Sequence, residues 1–216
     1  MKFTRLRAAI LATSLCAVSS WPGQAETPAV RNCTWCHGIS AQGLTPSPRL
    51  AGQRRGYLEK QIRAFGHHTR DNPIARQYMW SVGENLSPQT VSDYATYFST
   101  LPPRAANDGD QTLAALGERI YQLGMPDSNI AACVVCHGPN AEGVNEIPRL
   151  GGLSYSYVKR RLEEWTQGFD IAAGPPMLSI ASKLSPDQIA ALASYLSFIE
   201  SDAHNPQLAD SNAKRQ

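Results

Sequence analysis

The stretch CTWCH at residues 33–37 returns one hundred residues later as CVVCH at residues 133–137. The residues that recur are Cys33, Cys36 and His37, then Cys133, Cys136 and His137. Two thiols at this spacing form thioether bonds to the two vinyl groups of one haem, and the adjacent histidine is then held beneath the iron. The motif therefore predicts covalent attachment and axial ligation together, twice in one chain.

Two other kinds of site contain a Cys-x-x-Cys pair. Four cysteine ligands taken from both motifs would suit a structural zinc ion, but His37 and His137 would then have no role. A thioredoxin-like redox pair needs a βαβ setting, which surrounds neither motif. Haem attachment, with two covalently bound haem c groups and their iron, is the favoured interpretation.

The first 25 residues have the pattern of a secretory signal peptide. Three basic residues precede an apolar stretch from about residue 8 to 18, and small residues lead to Ala25. This stretch, which contains Cys16, is shorter than the roughly 20 residues that cross a bilayer. We expect cleavage after Ala25 and export to the periplasm. The mature chain is expected to have no transmembrane span, with peripheral association with a membrane still allowed.

Charge is distributed unevenly along the mature chain. From residue 26 to Thr100 the sequence holds 8 basic and 5 acidic residues, whereas the remainder holds 9 and 13. Such asymmetry orients a molecule toward charged redox partners, and it gives no indication of nucleic-acid binding.

The two halves of the chain are copies of one domain. At least ten positions recur at an offset of one hundred, from Cys33 to Tyr57 in the first half and from Cys133 to Tyr157 in the second. The matched residue types are Cys, Cys, His, Gly, Gly, Pro, Arg, Leu, Gly and Tyr. The offset then becomes 98, which aligns Met79 with Met177. The join is predicted at 101–109, where prolines and a glycine interrupt helical patterning.

All elements are predicted to be helices, so the fold class is all-α. Apolar stripes at helical spacing predict a middle helix and a closing helix in each half, and one more helix before the second motif. The stripes are Tyr57, Leu58, Ile62, Phe65; Val91, Tyr94, Phe98, Leu101; Leu113, Leu116, Ile120, Leu123; Tyr157, Val158, Leu162, Trp165; and Ile189, Leu192, Leu196, Ile199. Ser185 and Gln188 enclose a capping box at the start of the last of these helices.

The first half has no stripe before its motif. Only residues 26–32 would precede Cys33 after cleavage, which is too short for a stable helix. We therefore expect the first haem to be less covered on that side.

Methionine sulfur is the sixth ligand that raises the potential of electron-carrying cytochromes. Of the four methionines, only Met79 and Met177 align through the repeat, whereas Met1 lies in the leader and Met125 has no counterpart. The two are therefore the predicted iron ligands. Residues 174–176, Gly-Pro-Pro, predict an extended loop that brings Met177 over the iron.

The sixth ligand of the first haem has competitors in the sequence. Residues 74–78 before Met79 can run helically, and His67 and His68 lie nearby in the chain. A pair of histidines in a polar segment is usually solvated, and the second half has no histidine there. Met79 is therefore the favoured sixth ligand, and His67 and His68 are the alternatives.

The combination of motifs resembles the di-haem cytochrome c4 family, which is built from two tandem class I cytochrome c domains. The likeness covers nearly the whole mature chain. It rests on Cys-x-x-Cys-His-Gly, Pro-Arg-Leu-x-Gly, and a methionine seven residues before Leu-Ser-Pro, each present twice. It implies a first domain at 26–102 with a truncated first helix, a second at 103–204 and a polar tail at 205–216.

The resemblance also implies roles for residues around each haem. The carbonyls of Pro48 and Pro148 are expected to accept a hydrogen bond from the outer nitrogen of His37 and His137. Four further residues are expected near haem propionates: Arg49, Arg149, Tyr57 and Tyr157. Surface charge or an aromatic core position is the alternative for these four. Gly117 and Tyr121 are expected to pack the first helix of the second domain near Tyr195.

Haem iron with histidine and methionine ligands has no open position for a substrate, so the predicted function is electron transport and not catalysis. The resemblance implies redox partners such as a terminal oxidase, a cytochrome complex or a respiratory dehydrogenase. A cytochrome c subunit of a periplasmic dehydrogenase complex is the alternative that the sequence separates least well. A di-haem peroxidase needs one five-coordinate iron, and the methionine retained in both halves argues against it.

Overall fold

The computed structural model describes residues 28–170 and 175–200. The predicted signal peptide, the polar tail and His204 lie outside these residues. The helices are α1 (Pro28–His37), α2 (Arg55–Gly66), α3 (Pro73–Tyr78), α4 (Trp80–Glu84), α5 (Pro88–Thr100), α6 (Gln111–Leu123), α7 (Val134–His137), α8 (Tyr155–Thr166), α9 (Pro175–Ala181) and α10 (Pro186–Phe198), with a short 3-10 helix at Pro126–Ser128. The described part of the chain contains no β-strand, and the prediction of an all-α fold is confirmed.

Each half builds its own hydrophobic core. In the first, α2 packs against α5, and Val30, Leu58 and Phe98 are buried together. In the second, α10 packs against both α6 and α8, and the core is larger. Its buried members include Ile120, Tyr121, Val158, Leu162, Ile189, Leu192 and Leu196. The middle and closing helices predicted from the apolar stripes are therefore present in both halves.

The two closing helices begin in different ways. Ser185 accepts a hydrogen bond from the backbone N–H of Gln188, whose side chain accepts one from the Ser185 N–H, so the predicted capping box is present. In the first half, the Ser87 side chain accepts a hydrogen bond from Thr90 N–H at 3.1 Å, and Thr90 cannot return one in the manner of a glutamine. The second closing helix is thus capped more completely.

The chain enters the two motifs by different routes. Helix α1 starts at Pro28 and continues without a break into His37, and Val30 is buried in the first core. The expectation that residues 26–32 are too few for a helix is wrong for residues 28–32. These residues extend the helix of the motif, so no separate helix has to nucleate there. In the second half, α6 ends at Leu123 and a loop beginning at Gly124, which has a positive φ of 68°, leads to Cys133.

Helix α6 crosses α10 at close range. A Cβ atom at Gly117 would lie 2.0 Å from the carbonyl oxygen of Ala191, so only glycine permits this approach. Tyr121, one turn further on, is fully buried, and its ring lies 5.6 Å from that of Tyr195. The packing that the resemblance implied for Gly117 and Tyr121 is present. Leu123, included in the predicted stripe, is instead exposed.

No helix within residues 28–170 and 175–200 is long and apolar enough to cross a membrane. Between α5 and α6, residues 101–110 form neither helix nor strand. The domain boundaries stay predictions.

Candidate haem sites and the domain interface

The two motifs present their cysteines and histidines in the same way. Cys33, Cys36 and His37 are spaced i, i+3 and i+4 on α1 and therefore share one helix face. Cys133 lies immediately before α7, which carries Cys136 and His137. In each motif the first cysteine is half-buried at the edge of the hydrophobic core and the second is exposed. A pair of cysteine thiols and a histidine thus lies at the edge of each hydrophobic core.

Both motif histidines are anchored by a proline carbonyl eleven residues further along the chain. His37 donates from Nδ1 to the Pro48 oxygen at 2.7 Å, and His137 donates to the Pro148 oxygen at 3.0 Å. Burial lowers the pKa of both rings, and the charge of Arg70 adds to this for His37. Each ring is therefore neutral with Nε2 left to bind iron, which is how a ligating histidine is oriented by its outer nitrogen.

The cysteines lack the electrostatics of a redox-active thiol pair. Burial raises the pKa of Cys33, and it raises the pKa of Cys133 to about 11. A thioredoxin-type cysteine needs its pKa lowered so that the thiolate forms near neutral pH. Within the described residues, no three side chains of His, Cys, Asp or Glu cluster as a metal site. The four cysteines therefore do not come together as zinc ligands, and the geometry fits two separate haem attachment sites.

Met177 lies in the first turn of α9 and is half-buried against the second core. The prediction of an extended loop is wrong from Pro175 onward, because this residue begins a helix; Gly174 lies outside the described residues. Proline is favoured at the first helical position, where its missing N–H is not needed. The prolines thus start the helix that carries Met177.

Met79 occupies the junction where α3 ends and α4 begins. The helix predicted before it is present, and Met79 N–H continues it by donating to the Ala75 carbonyl. The side chain is half-buried. Its role as an iron ligand stays a prediction, as does that of Met177.

Both competing histidines lie at the surface. The ring of His68 stacks on that of Trp80 with centroids 3.9 Å apart, and its Nε2 lies 2.5 Å from a carboxylate oxygen of Glu84. His67 is exposed at the end of α2. Because His68 is held at the surface by two partners, Met79 is the better candidate for the first haem.

The two domains meet through a reciprocal set of hydrogen bonds. The Arg49 guanidinium donates to the carbonyls of Gly151 and Gly152 at 2.7 and 2.8 Å. In return, Arg149 donates from Nε to the Gly52 carbonyl at 3.1 Å, and its backbone N–H donates to the Gln53 side chain. These contacts define the domain interface. The interpretation of Arg49 as surface charge is therefore wrong, since this residue is buried between the domains.

Arg49 is a buried cation without an acidic neighbour in the described structure. All of its hydrogen bonds go to backbone carbonyls, and no carboxylate oxygen lies within ion-pair distance of it. Burial, and then the charge of Arg149, lowers the pKa of Arg49 to about 10. A haem propionate would supply the anion that Arg49 lacks among the described residues, so Arg49 would suit a propionate that reached the interface.

The two tyrosines predicted near propionates lie at the same interface. The Tyr157 hydroxyl accepts a hydrogen bond from the Arg70 guanidinium at 3.3 Å, and Tyr57 interacts with Tyr157. Burial raises the pKa of Tyr57 to about 12, while the Arg70 charge lowers that of Tyr157 despite its burial. The Tyr57 phenol therefore stays protonated near neutral pH.

A buried charge cluster that the motifs did not indicate completes the interface. Asp170 lies 2.5 Å from Arg161 and 4.0 Å from Arg70, and it accepts hydrogen bonds from the backbone N–H groups of Asp71 and Asn72. Asn72 also donates to Glu164, which pairs with Arg161. The repeat held a signal for this cluster: Gln61 aligns with Arg161, and Arg70 aligns with Asp170.

The chain is similar to known proteins over most of its length. Residues 114–199 match the family model described as "Cytochrome c". Cytochrome c4 from Thiocapsa roseopersicina is 33% identical over 81% of this chain and 91% of that protein. A thiosulfate dehydrogenase electron acceptor from Thiomonas intermedia is 35% identical over 83% of each. The structure of Acidithiobacillus ferrooxidans cytochrome c4 superposes with a TM-score of 0.72 at 32% identity, covering 77% of this chain and 98% of that one.

Proposed function

The chain belongs to the di-haem cytochrome c4 family, and on that premise we propose that it carries electrons in the periplasm between respiratory redox partners, with histidine and methionine ligands at both haems. Membership makes the chain a di-haem, electron-carrying cytochrome with two covalently attached haem c groups. The location, the ligation and the partners are the parts that are proposed.

The geometry of the two motif histidines carries the ligation proposal. His37 and His137 make the same hydrogen bond to a proline carbonyl at the same sequence distance, so each presents Nε2 in a fixed orientation. Haem iron bound there would cycle between its ferric and ferrous states, and a methionine sulfur as sixth ligand would raise its potential. Met79 and Met177, aligned through the repeat, are the proposed sulfur ligands.

The domain interface supports a role in which electrons pass between the haems. Arg49 and Arg149 donate across it in both directions, and Tyr57 and Tyr157 meet there. Such contacts hold the two domains in one arrangement. An electron is proposed to enter at one haem and leave at the other.

A sulfur-oxidising enzyme is the proposed electron donor. A relative named as the electron acceptor of thiosulfate dehydrogenase is 35% identical to this chain. A terminal oxidase is the proposed acceptor on the other side. The solved thiosulfate dehydrogenase TsdBA from Marichromatium purpuratum, which matches this chain over 36% of its own length, favours the second candidate function, a cytochrome subunit held by a dehydrogenase in a stable complex.

The predicted leader supports a periplasmic location. Haem c is attached to exported chains, and a secretory signal at residues 1–25 agrees with that route. Fractionation of cells that express the full chain should place the haem-stained protein in the periplasm, beginning at Glu26. Recovery of the haem protein from the cytoplasm would contradict the proposal.

Reduction by a donor enzyme tests the carrier function. The mature holoprotein is mixed with catalytic thiosulfate dehydrogenase and excess thiosulfate, and haem absorbance is followed. We expect both haems to be reduced, and reoxidised when terminal oxidase and oxygen are added. Co-elution of the chain with the dehydrogenase in gel filtration would favour the complex subunit. A chain reduced only by dithionite would contradict the carrier function.

A further inference from the structure

The first domain carries an apolar groove on the side of α1 that faces away from its cysteines. Positions 31, 34, 35 and 38 follow helical spacing, so they lie opposite the face that holds Cys33 and His37. Together with the loop that follows the motif they border an open groove of about 440 Å³. Its lining residues are Arg31, Thr34, Trp35, Gly38, Ile39 and Leu44.

The groove concentrates exposed apolar surface. Trp35 is 81%, Ile39 89% and Leu44 57% exposed, and these are three of the eight large apolar side chains exposed in the described residues. Large apolar side chains that gather on one surface mark interaction sites, whereas isolated ones do not. Tryptophan and arginine are also the residue types most enriched among the side chains that dominate protein interfaces.

The corresponding face of the second domain is smaller. Val135 replaces Trp35, Val144 replaces Leu44, and Ala131 replaces Arg31. The second domain also has its helix α6 near this face, because Tyr121 donates to the Gly138 carbonyl at 2.5 Å. The equivalent face of the first domain has no such donor among the described residues.

The two faces also differ in charge. A Cβ atom at Gly138 would contact the carboxylate of Glu142. A Cβ atom at the aligned Gly38 would instead lie beside the apolar side chain of Leu44. The residue aligned with Glu142 is Gln42, which bonds to the linker at Pro102 and Arg104 instead. Arg31 is the charged residue in the lining of the groove, and the aligned residue of the second domain is the uncharged Ala131. The first face is thus apolar and cationic, and the second is less apolar and anionic.

We propose that the face formed by Arg31, Trp35, Ile39 and Leu44 is the surface on which a redox partner protein docks, and that this partner presents an apolar patch bordered by carboxylates. The inference rests on the proposed carrier function and assigns the contact to the first domain. Because α1 is about 10 Å across, a partner on this face lies within one helix diameter of the first haem's attachment site. Docking there makes the first haem the one that exchanges electrons with this partner.

Matched variants of the two domains test the proposal. Second-order rate constants for reduction of the mature holoprotein by thiosulfate dehydrogenase are measured for Trp35→Ser and Arg31→Glu, with Val135→Ser and Ala131→Glu as controls. Trp35→Ser should lower the rate constant about tenfold. Arg31→Glu should lower it several-fold at low salt and less at high salt, since salt screens exposed charges. The control variants should stay within about twofold of the wild type.

Each outcome separates the docking face from the carrier function. If the wild type is reduced and Trp35→Ser reacts as fast, or Val135→Ser is equally impaired, the docking face is wrong and the carrier function stands. If thiosulfate dehydrogenase does not react with the wild type, the same variants are compared in oxidation by a terminal oxidase. A wild type that reacts with neither enzyme overturns both proposals. Complete reduction of every variant by dithionite shows that both haems are intact.

A second copy of the chain and the chain's own N-terminal segment are the competing occupants of the groove. Sedimentation that detects a dimer dissociated by Trp35→Ser would assign the groove to a second copy and overturn the proposal. A full-length chain that reacts more slowly than the chain starting at Glu26, with no further effect of Trp35→Ser, would assign it to the N-terminal segment. A monomer whose rate constant depends on Trp35 supports the proposal.

Discussion

The two haem domains share their middle and closing helices but differ in how their polar and charged residues are placed. At the interface, the first domain contributes Gln61 and Arg70, which bond to each other, whereas the second contributes the ion pair of Arg161 and Asp170. At the motif, the first domain is entered by one continuous helix and the second by a separate helix and a loop. Duplication thus kept the haem-binding framework while the charges around it diverged.

Because the charges diverged, residues of the first domain contact oppositely charged residues of the second. Arg70 reaches from the first domain to Tyr157 and Asp170 in the second, so the cation of one copy is met by the anion that replaced it in the other. Two identical domains would have placed like charges opposite each other at this point. The exchanged charges therefore favour pairing of the first domain with the second over pairing of like domains.

The largest expected difference in unfolding free energy is between substitutions of the aligned residues Arg161 and Gln61. Arg161→Met would leave the buried carboxylates of Asp170 and Glu164 with poorer partners, and it should lower the free energy of unfolding by about 3–5 kcal/mol. Gln61→Met removes one neutral acceptor from Arg70 and should cost about 1 kcal/mol. Chemical denaturation of the holoprotein measures both. Equal losses would show that the cluster is not the asymmetric element of the interface.

The crossing of α6 and α10 offers the next largest effect, and it concerns the second domain alone. Gly117→Ala places a Cβ atom against the Ala191 carbonyl and should destabilise the protein by about 1–3 kcal/mol. Ala115→Gly, at an exposed position of the same helix, is the control and should cost about 1 kcal/mol from helix propensity. Thermal unfolding followed at the haem absorbance separates the two. A Gly117→Ala protein as stable as the wild type would contradict the close approach.

The smallest expected losses of stability come from substitutions at the two helix caps. Ser185→Ala removes one half of a capping box and should lower the free energy of unfolding by about 1–2 kcal/mol. Ser87→Ala removes a single capping bond and should lower it by about 0.5–1 kcal/mol. Denaturation of both variants under the same conditions gives the comparison. A larger loss for Ser87→Ala would reverse the ranking of the caps.

The framework of the molecule could be predicted from its sequence because its signals are local or periodic. The paired cysteines, the offset of one hundred residues, the apolar stripes and the Ser185 cap each occupy short segments, and the helices they predicted are present. The resemblance to cytochrome c4 is confirmed by relatives and by solved structures. Cleavage after Ala25, the domain boundaries and the sulfur ligands stay predictions.

The features that sequence reasoning missed depend on contacts between distant residues. Burial of Asp170 and Arg161 follows from docking of one domain on the other, and nothing in the neighbouring residues indicates it. The repeat contained the evidence only when aligned positions of unlike charge were compared. The start of α9 was missed for a different reason, because Pro175 and Pro176 suit both an extended loop and a first helical turn.

Ligation of both irons by histidine and methionine is the central claim, and the ferric near-infrared spectrum of the holoprotein tests it most directly. Methionine-ligated ferric haem gives a weak long-wavelength charge-transfer band, which we expect from both haems. Met79→Ala and Met177→Ala should each remove the band of one haem, whereas Met125→Ala should leave both. A high-spin signal from either haem in the wild type would contradict the claim. A spectrum unchanged by Met79→Ala would likewise contradict it and assign the first iron to His67 or His68.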